Sequence, residues 1–446
     1  MLSKSLKTAA AGNAGERYFH ALTGDTNGQA GYGITLDSDK NIYIAGGINQ
    51  GGFLVKYNSI GVVQWVRKVG YQQTSLRDVV VDSTGNVYVC GYTRVGTPGG
   101  IEEMFVAKFN SSGAIQWQKR FKISDSYIGW SISVDNTNSV IWCSGYVTPV
   151  GAHTYQVVLK IAFDGTLSDG LGVNNLGGAG GWGRRACVDS AGNLIVTGKF
   201  YHGGGAGLWS AYLVRFYAGG SSHWYQLYGD SATSTASIIG GEDVCYDNHS
   251  QHLYAVGASN SGDTYLIKVS NNGNLIWQKN MTKGANFTSV VHNVISDHVG
   301  GIYVVGQTTK SGGGHEMFIA KFATNGNNVW FRTLGSTSNT SNEYAYAVYA
   351  DDTGPYIAGM TNHTTSTGGE DIVLFHPPAD GTMTGAYNGL VFSQPGYSVS
   401  NLSSSMSNAQ GIGVSPFQQS LSGVTETTTN YTIYQPNLTN QLVYLS

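Results

Sequence analysis

Asp78-Val79-Val80-Val81-Asp82-Ser83-Thr84-Gly85-Asn86-Val87-Tyr88-Val89-Cys90-Gly91-Tyr92-Thr93 reads as two short β-strands closed by a tight turn. Val79, Val81, Val87 and Val89 belong to β-branched apolar runs, and the polar Asp-Ser-Thr-Gly-Asn between them is turn chemistry. A second hairpin follows: Met104-Phe105-Val106-Ala107-Lys108-Phe109, the turn Asn110-Ser111-Ser112-Gly113, then Ala114-Ile115-Gln116-Trp117-Gln118-Lys119. Together they make one antiparallel unit of four strands.

Most of the chain is that unit written again. The turn Asp recurs at Asp37, Asp82, Asp135, Asp189, Asp247, Asp297 and Asp351, at intervals of 45 to 58 residues. Second strands run toward a glycine, as in Tyr43-Ile44-Ala45-Gly46 and Tyr303-Val304-Val305-Gly306. Third strands match Phe53-Leu54-Val55-Lys56-Tyr57, and a fourth-strand Trp stands at Trp65, Trp117, Trp224, Trp277 and Trp330. Seven four-stranded repeats of this period predict an all-β chain folded as a seven-bladed β-propeller of antiparallel blades, since one such sheet cannot bury both of its faces alone. A linear β-solenoid is the competing architecture. The expected organisation is a docking arm at 1–16, the propeller at 17–390 and a Ser/Thr/Asn-rich arm at 391–446. A strand near Tyr18–Leu22 is expected to complete the seventh blade, unless that blade carries its own fourth strand near Thr382–Tyr387. The C-terminal arm reads either as a partly ordered tail or as an extended segment that adds a strand to a partner's sheet.

Composition narrows the function. Charged residues are only 11 % and glycines number 63, a profile that suits extracellular β-proteins and viral fibres better than cytosolic enzymes. The net charge of −3 offers no field for nucleic acid or anionic membrane, although no Lys or Arg follows Arg332 while seven acids do. The start lacks the apolar core of a signal peptide, and no long apolar run predicts a membrane span. The four cysteines sit at strand positions that read as small buried hydrophobes, without metal-ligand or disulfide spacing.

The short turns all point to one side of such blades, and the variable connections emerge on the other, at 94–103, 147–155, 200–210, 308–316 and 361–371 within blades and 123–129, 177–184, 230–242 and 282–290 between them. Recognition is expected on that loop-rich face. Its aromatics Tyr71, Tyr127, Trp130, Trp182, Tyr201 and Trp209 are candidates for stacking on sugar rings or a protein surface. At the inner mouth, the residue five before the turn Asp reads Tyr32, Arg77, Trp130, Arg184, Glu242, His292 and Tyr346. Such a ring either holds a ligand over the central channel or plugs it with mutually satisfied polar groups. Catalytic readings are weaker. The histidines are scattered without ligand spacing, and no argument brings Glu102-Glu103, Glu242-Asp243, His315-Glu316 or Glu370-Asp371 together as acid and base. No cofactor or metal is expected.

The repeat Val-Asp-Ser-Thr-Gly-Asn-Val-Tyr-Val-Cys-Gly, followed by Phe-Val-Ala-Lys-Phe-Asn-Ser-Ser-Gly-Ala-Ile-Gln-Trp-Gln, resembles the SBBP-type β-propeller repeat over roughly residues 30–390. The opening Thr8-Ala9-Ala10-Ala11-Gly12-Asn13-Ala14-Gly15 resembles the leader of structural proteins of marine tailed bacteriophages. The two likenesses imply a non-enzymatic virion protein, a tail or fibre component present in multiple copies. Its partners would be other virion proteins and a host surface glycan or receptor, with neither nucleic acid nor membrane among them. The alternatives are a secreted or cell-surface carbohydrate-binding propeller and, behind it, a polysaccharide hydrolase. The sialidase-type Asp box, the WD dipeptide and the kelch Gly-Gly pattern are all missing.

Overall fold

The repeated Asp organises each hairpin by collecting hydrogen bonds. Asp82 accepts from the Thr84 and Asn86 backbone N–H groups, the Thr84 hydroxyl, the Asn86 amide and the Tyr88 hydroxyl, at 2.7 to 3.0 Å. Burial works against its charge, but these bonds outweigh it and hold the carboxyl below the usual range. Gly85, at φ +84°, supplies the left-handed residue of the turn. The motif Asp-x-x-Gly-Asn-x-Tyr is therefore one hydrogen-bonded unit, with its carboxylate oxygens already occupied by protein donors.

The computed structural model describes residues 19–24, 28–48, 51–69, 73–95, 100–122, 126–149, 153–175, 181–201, 209–228, 238–259, 263–282, 288–363, 369–383 and the short strands between 385 and 444. They form seven four-stranded antiparallel blades in a propeller ring. Blades 1 to 6 span 29–69, 74–122, 127–175, 181–228, 238–282 and 289–336. Blade 7 takes three strands from 343–376 and its fourth, Phe19–Gly24, from the opposite end of the chain. The expected N-terminal closing strand thus pairs with Asp371–His376, while Gly385–Tyr387 joins the sheet of blade 6. The docking arm expected at 1–16 lies outside the described residues.

Seven apolar clusters hold the ring, one at every junction between neighbouring blades. The seam between blades 7 and 1 is as apolar as the rest, with Ile34, Ile44 and Phe53 packed on Ile372 and Leu374. Each such side chain contributes roughly 1.5–3 kcal/mol on burial. Cys90, Cys143 and Cys245 are buried within these layers and Cys187 is half-buried; all four are free thiols.

A polar staple repeats around the rim. Lys56, Lys108, Lys160, Lys268 and Lys321 each donate to a turn carbonyl of the next blade, at 3.0 to 3.3 Å. Trp65, Trp117, Trp277 and Trp330 donate their indole N–H to the same carbonyls as the lysine of their own blade, at 3.0 to 3.3 Å. In blade 4, Arg215 and Trp224 share Asn271 O in the same way. The fourth-strand Trp of the repeat is a fastening between blades.

The C-terminal segment adds strands to this same chain. Leu390–Ser393 pairs with the outer strand of blade 6, Ser398–Asn401 with that of blade 5, Val414–Gln418 with blade 3 and Thr425–Thr428 with blade 2. Thr439–Tyr444 then pairs with Phe19–Gly24 on blade 7. The order 6, 5, 3, 2, 7 is a circuit of the ring against chain direction. The sequence leaves open both a partly ordered tail and strand addition to a partner; among the described residues the acceptors are the blades' own unpaired edges, close at hand and needing no association entropy.

Candidate functional site

In every blade the pairing of the two innermost strands slips by one residue near the loop-rich end. The residue squeezed out of the ladder is Tyr32, Arg77, Trp130, Glu242, His292 or Tyr346, and in blade 4 the slip takes in Arg184 with Arg185. A bulge re-aims the side chain it releases. Seven of them on the innermost strands aim seven side chains at the channel.

The glycine of the repeat makes the bulge possible. A Cβ on Gly91 would stand 1.9 Å from Ser75 O, and at Gly46, Gly145, Gly198, Gly257, Gly306 and Gly359 the corresponding carbonyl would be met at 1.8 to 2.2 Å. That carbonyl always belongs to the residue two before the ring position. The second-strand glycine and the mouth residue are therefore two halves of one device.

The released side chains touch in sequence. The Arg77 guanidinium lies over Tyr32 at 4.4 Å and Trp130 at 4.7 Å, and the Arg184 guanidinium takes the next place by Trp130 at 4.9 Å. Arg184 Nε then faces Glu242 at 3.4 Å. On the other side Tyr346 packs on His292 at 5.2 Å and on Tyr32 at 5.1 Å. Gln307 Oε1 sits 2.6 Å from His292 Nε2, and burial lowers the imidazole pKa, so this side chain is neutral at pH 7. Burial also raises the hydroxyls of Tyr32 and Tyr346.

Arg185 makes the floor. It reaches across the channel to Asp78 at 2.8 Å, and its guanidinium also donates to Tyr32 O. Burial opposes its charge, yet Asp78 and Asp243 outweigh it. Asp78 and Asp243 also accept the backbone N–H of Ile132 and Val294 in the next blades, and Asn293 accepts that of Val348. Above this latched floor is a cavity of about 350 Å3 lined by all seven mouth residues with Arg185 and Val290. A second, of about 260 Å3, adjoins it, sharing Tyr32 and Arg77 and reaching Gln73, Tyr92, Arg94 and Glu370.

Of the residues singled out in the sequence, Arg77, Trp130, Arg184, Glu242 and His292 converge here. Tyr127 does not: it is fully buried between blades 2 and 3, because its strand begins at that residue and no loop carries it. Trp182 lies outside the cavity beneath the Lys199 ammonium, 5.2 Å away. Tyr71 and the side chains of Tyr201 and Trp209 lie outside the described residues. Glu102 and Glu103 are taken up by Arg94 and Arg120. Sequence reading passed over Arg185, Tyr92 and Gln307; the doublet Arg184-Arg185 at a mouth position was the available signal for the first. Among the described residues no group of three or more His, Cys, Asp or Glu side chains is placed to hold a metal ion, and no helix is long and apolar enough to cross a membrane.

The family model described as SBBP, beta-propeller repeat, matches residues 64–96. No curated protein matches the chain. Similar solved structures include a protein of unknown function from Dyadobacter fermentans, at 10 % identity and TM-score 0.45, covering 81 % of this chain and 99 % of that one. Polysaccharide lyase Uly1 follows at 11 %, with TM-score 0.43 and coverage of 78 % and 90 %, and a glucose dehydrogenase at 12 %, with TM-score 0.39 and coverage of 64 % and 95 %. At these identities the likeness is one of fold alone. Two of these proteins are enzymes, a lyase and a dehydrogenase, so the expectation that this chain is non-enzymatic is withdrawn; the likeness itself assigns it no activity.

Proposed function

We propose that the propeller recognises a saccharide at its channel mouth and works as a recognition component of a phage tail or fibre. The observation that carries the binding reading is the delivery, by seven separate bulges, of seven side chains of five chemical kinds into one floored cavity. Tyr32, Trp130 and Tyr346 offer aromatic surface for the apolar faces of sugar rings, while arginine, carboxylate and imidazole groups suit hydroxyls. The virion setting is supported by the likeness of residues 8–15 to a phage structural leader. Binding of the intact chain to a glycan array tests the site. Trp130→Ala and Tyr346→Ala should abolish the signals, and Trp277→Phe, on the distant rim, should leave them. Binding that survives both mouth substitutions, or no binding by the parent chain, overturns the reading. For the setting, mass spectrometry should find the chain as a stoichiometric component of purified virions.

A further inference from the structure

The three mouth arginines are not equivalent. Arg185 has Asp78 at 2.8 Å, and Arg184 has Glu242 at 3.4 Å. Arg77 has no carboxylate partner among the described residues. Its guanidinium is held instead by three aromatic rings, with centroids at 4.4 Å for Tyr32, 4.7 Å for Trp130 and 5.4 Å for Tyr92, and it donates to the Tyr92 hydroxyl at 3.3 Å. Its Nε is buried without an acceptor. Such a guanidinium is fixed in orientation and has no counter-ion among the described residues.

Arg77 is half-buried, and taking a guanidinium part-way out of water without a counter-ion is costly unless something else supplies the charge. Stacking on aromatic faces recovers part of that cost. It also prevents the side chain from swinging out to water, the usual escape of an unpaired arginine. Arg77 borders both cavities, so an acidic group lodged beside it would lie between two spaces able to take neighbouring sugar units. A planar carboxylate suits the guanidinium fork, and two parallel N–H···O bonds would fix its orientation.

We infer that the ligand is an acidic saccharide and that Arg77 is the receptor for its carboxylate. This rests on the saccharide reading of the mouth given above. The test is calorimetric titration of the full chain with uronate oligosaccharides from pectate, alginate and hyaluronan, each beside its carboxyl-reduced counterpart. A charge-assisted pair of about 1.5–3 kcal/mol corresponds to a preference of roughly 10- to 100-fold for the acidic form. Arg77→Gln should bring the affinity for that acidic form down to the level of its reduced counterpart, while affinity for the reduced form stays unchanged. Arg77→Lys, which keeps the charge without the fork, should fall between. Equal affinity of the parent chain for acidic and reduced forms overturns the inference while leaving the saccharide reading intact. Binding of neither form to the parent chain overturns both. The parent-chain comparison needs no variant to fold.

Discussion

Replacing Gly91 by alanine tests whether the glycine of the repeat exists to admit the bulge. The new Cβ would stand 1.9 Å from Ser75 O and 2.8 Å from Leu76 Cα. A carbon and a carbonyl oxygen settle at about 3.3 Å or more, so the carbonyl must retreat by roughly 1.4 Å. Both intruding atoms are backbone, next to the ladder pair of Leu76 with Gly91 and one residue short of the bulged Arg77. Overpacking costs about 1–3 kcal/mol where side chains can yield. Here backbone must yield, so Gly91→Ala is expected at the upper end, about 3 kcal/mol. The assay is urea unfolding, read as a lower midpoint at an unchanged slope. Gly219→Ala is the control, because nothing lies within 4 Å of an added Cβ there and its backbone is not left-handed. It should be neutral, or stabilising by about 0.4–1 kcal/mol through the unfolded chain. If Gly91→Ala falls within about 0.5 kcal/mol of Gly219→Ala, the coupling of glycine to bulge is refuted.

Three further outcomes follow from the same physics. Trp277→Phe keeps an aromatic ring but loses the pyrrole half with the N–H that shares Thr324 O with Lys268, and urea unfolding should register a loss of about 1 kcal/mol or more. Burial raises Asp243 to about 7, against Arg185 and two backbone N–H groups. A carboxyl whose folded value lies above its unfolded one holds its proton more tightly in the folded state, so it takes stability away as pH climbs from about 4 to 7; Asp243→Asn should flatten that part of the stability profile relative to the parent, and an unchanged profile would refute the assignment. Ending the chain after residue 393 removes the strands that cover the outer edges of blades 5, 3 and 2 and of Phe19–Gly24. Bare edges pair with one another, so light scattering should show self-association, and a monodisperse truncated monomer would count against an edge-covering role for the C-terminal strands.

The fold was legible because its grammar is local. Asp, Gly and Asn at fixed offsets specify a turn through hydrogen bonds a few residues long, and the alternation around Val87 and Val89 specifies strands. Seven repetitions then leave few alternatives to a ring. The mouth was legible for the same reason: counting five back from each Asp lands on the bulge, although nothing in the sequence announces a bulge as such. What stayed hidden depends on distance through space. Tyr127 looked like a loop aromatic because strand starts are not marked there, whereas it packs with Cys90 and Cys143 in the layer between blades. The acceptors of the C-terminal strands are blade edges up to several hundred residues away, and no local pattern names them. Arg77 and Arg185 look alike in the sequence, and only the fold shows that one has a carboxylate and the other has aromatic rings.

The bulge separates what the propeller must keep from what it is free to change. In the ladder, a substitution is judged by its neighbours on both strands and by the apolar layer of the next blade. The bulged residue is outside that pairing, and its side chain meets mostly other bulged residues. The seven mouth positions carry Tyr, Arg, Trp, Arg, Glu, His and Tyr, whereas the facing position is glycine in all seven blades. Chemistry at the mouth can therefore be exchanged with little effect on the ring, provided the glycine stays. The exchange is not free among the mouth residues themselves. Arg77 and Arg184 lie against the same indole of Trp130, and Arg184 reaches on to Glu242, so removing that indole takes one aromatic contact from two guanidiniums at once. Substitutions around the mouth are accordingly coupled in binding, while each remains nearly independent of the blades that present them.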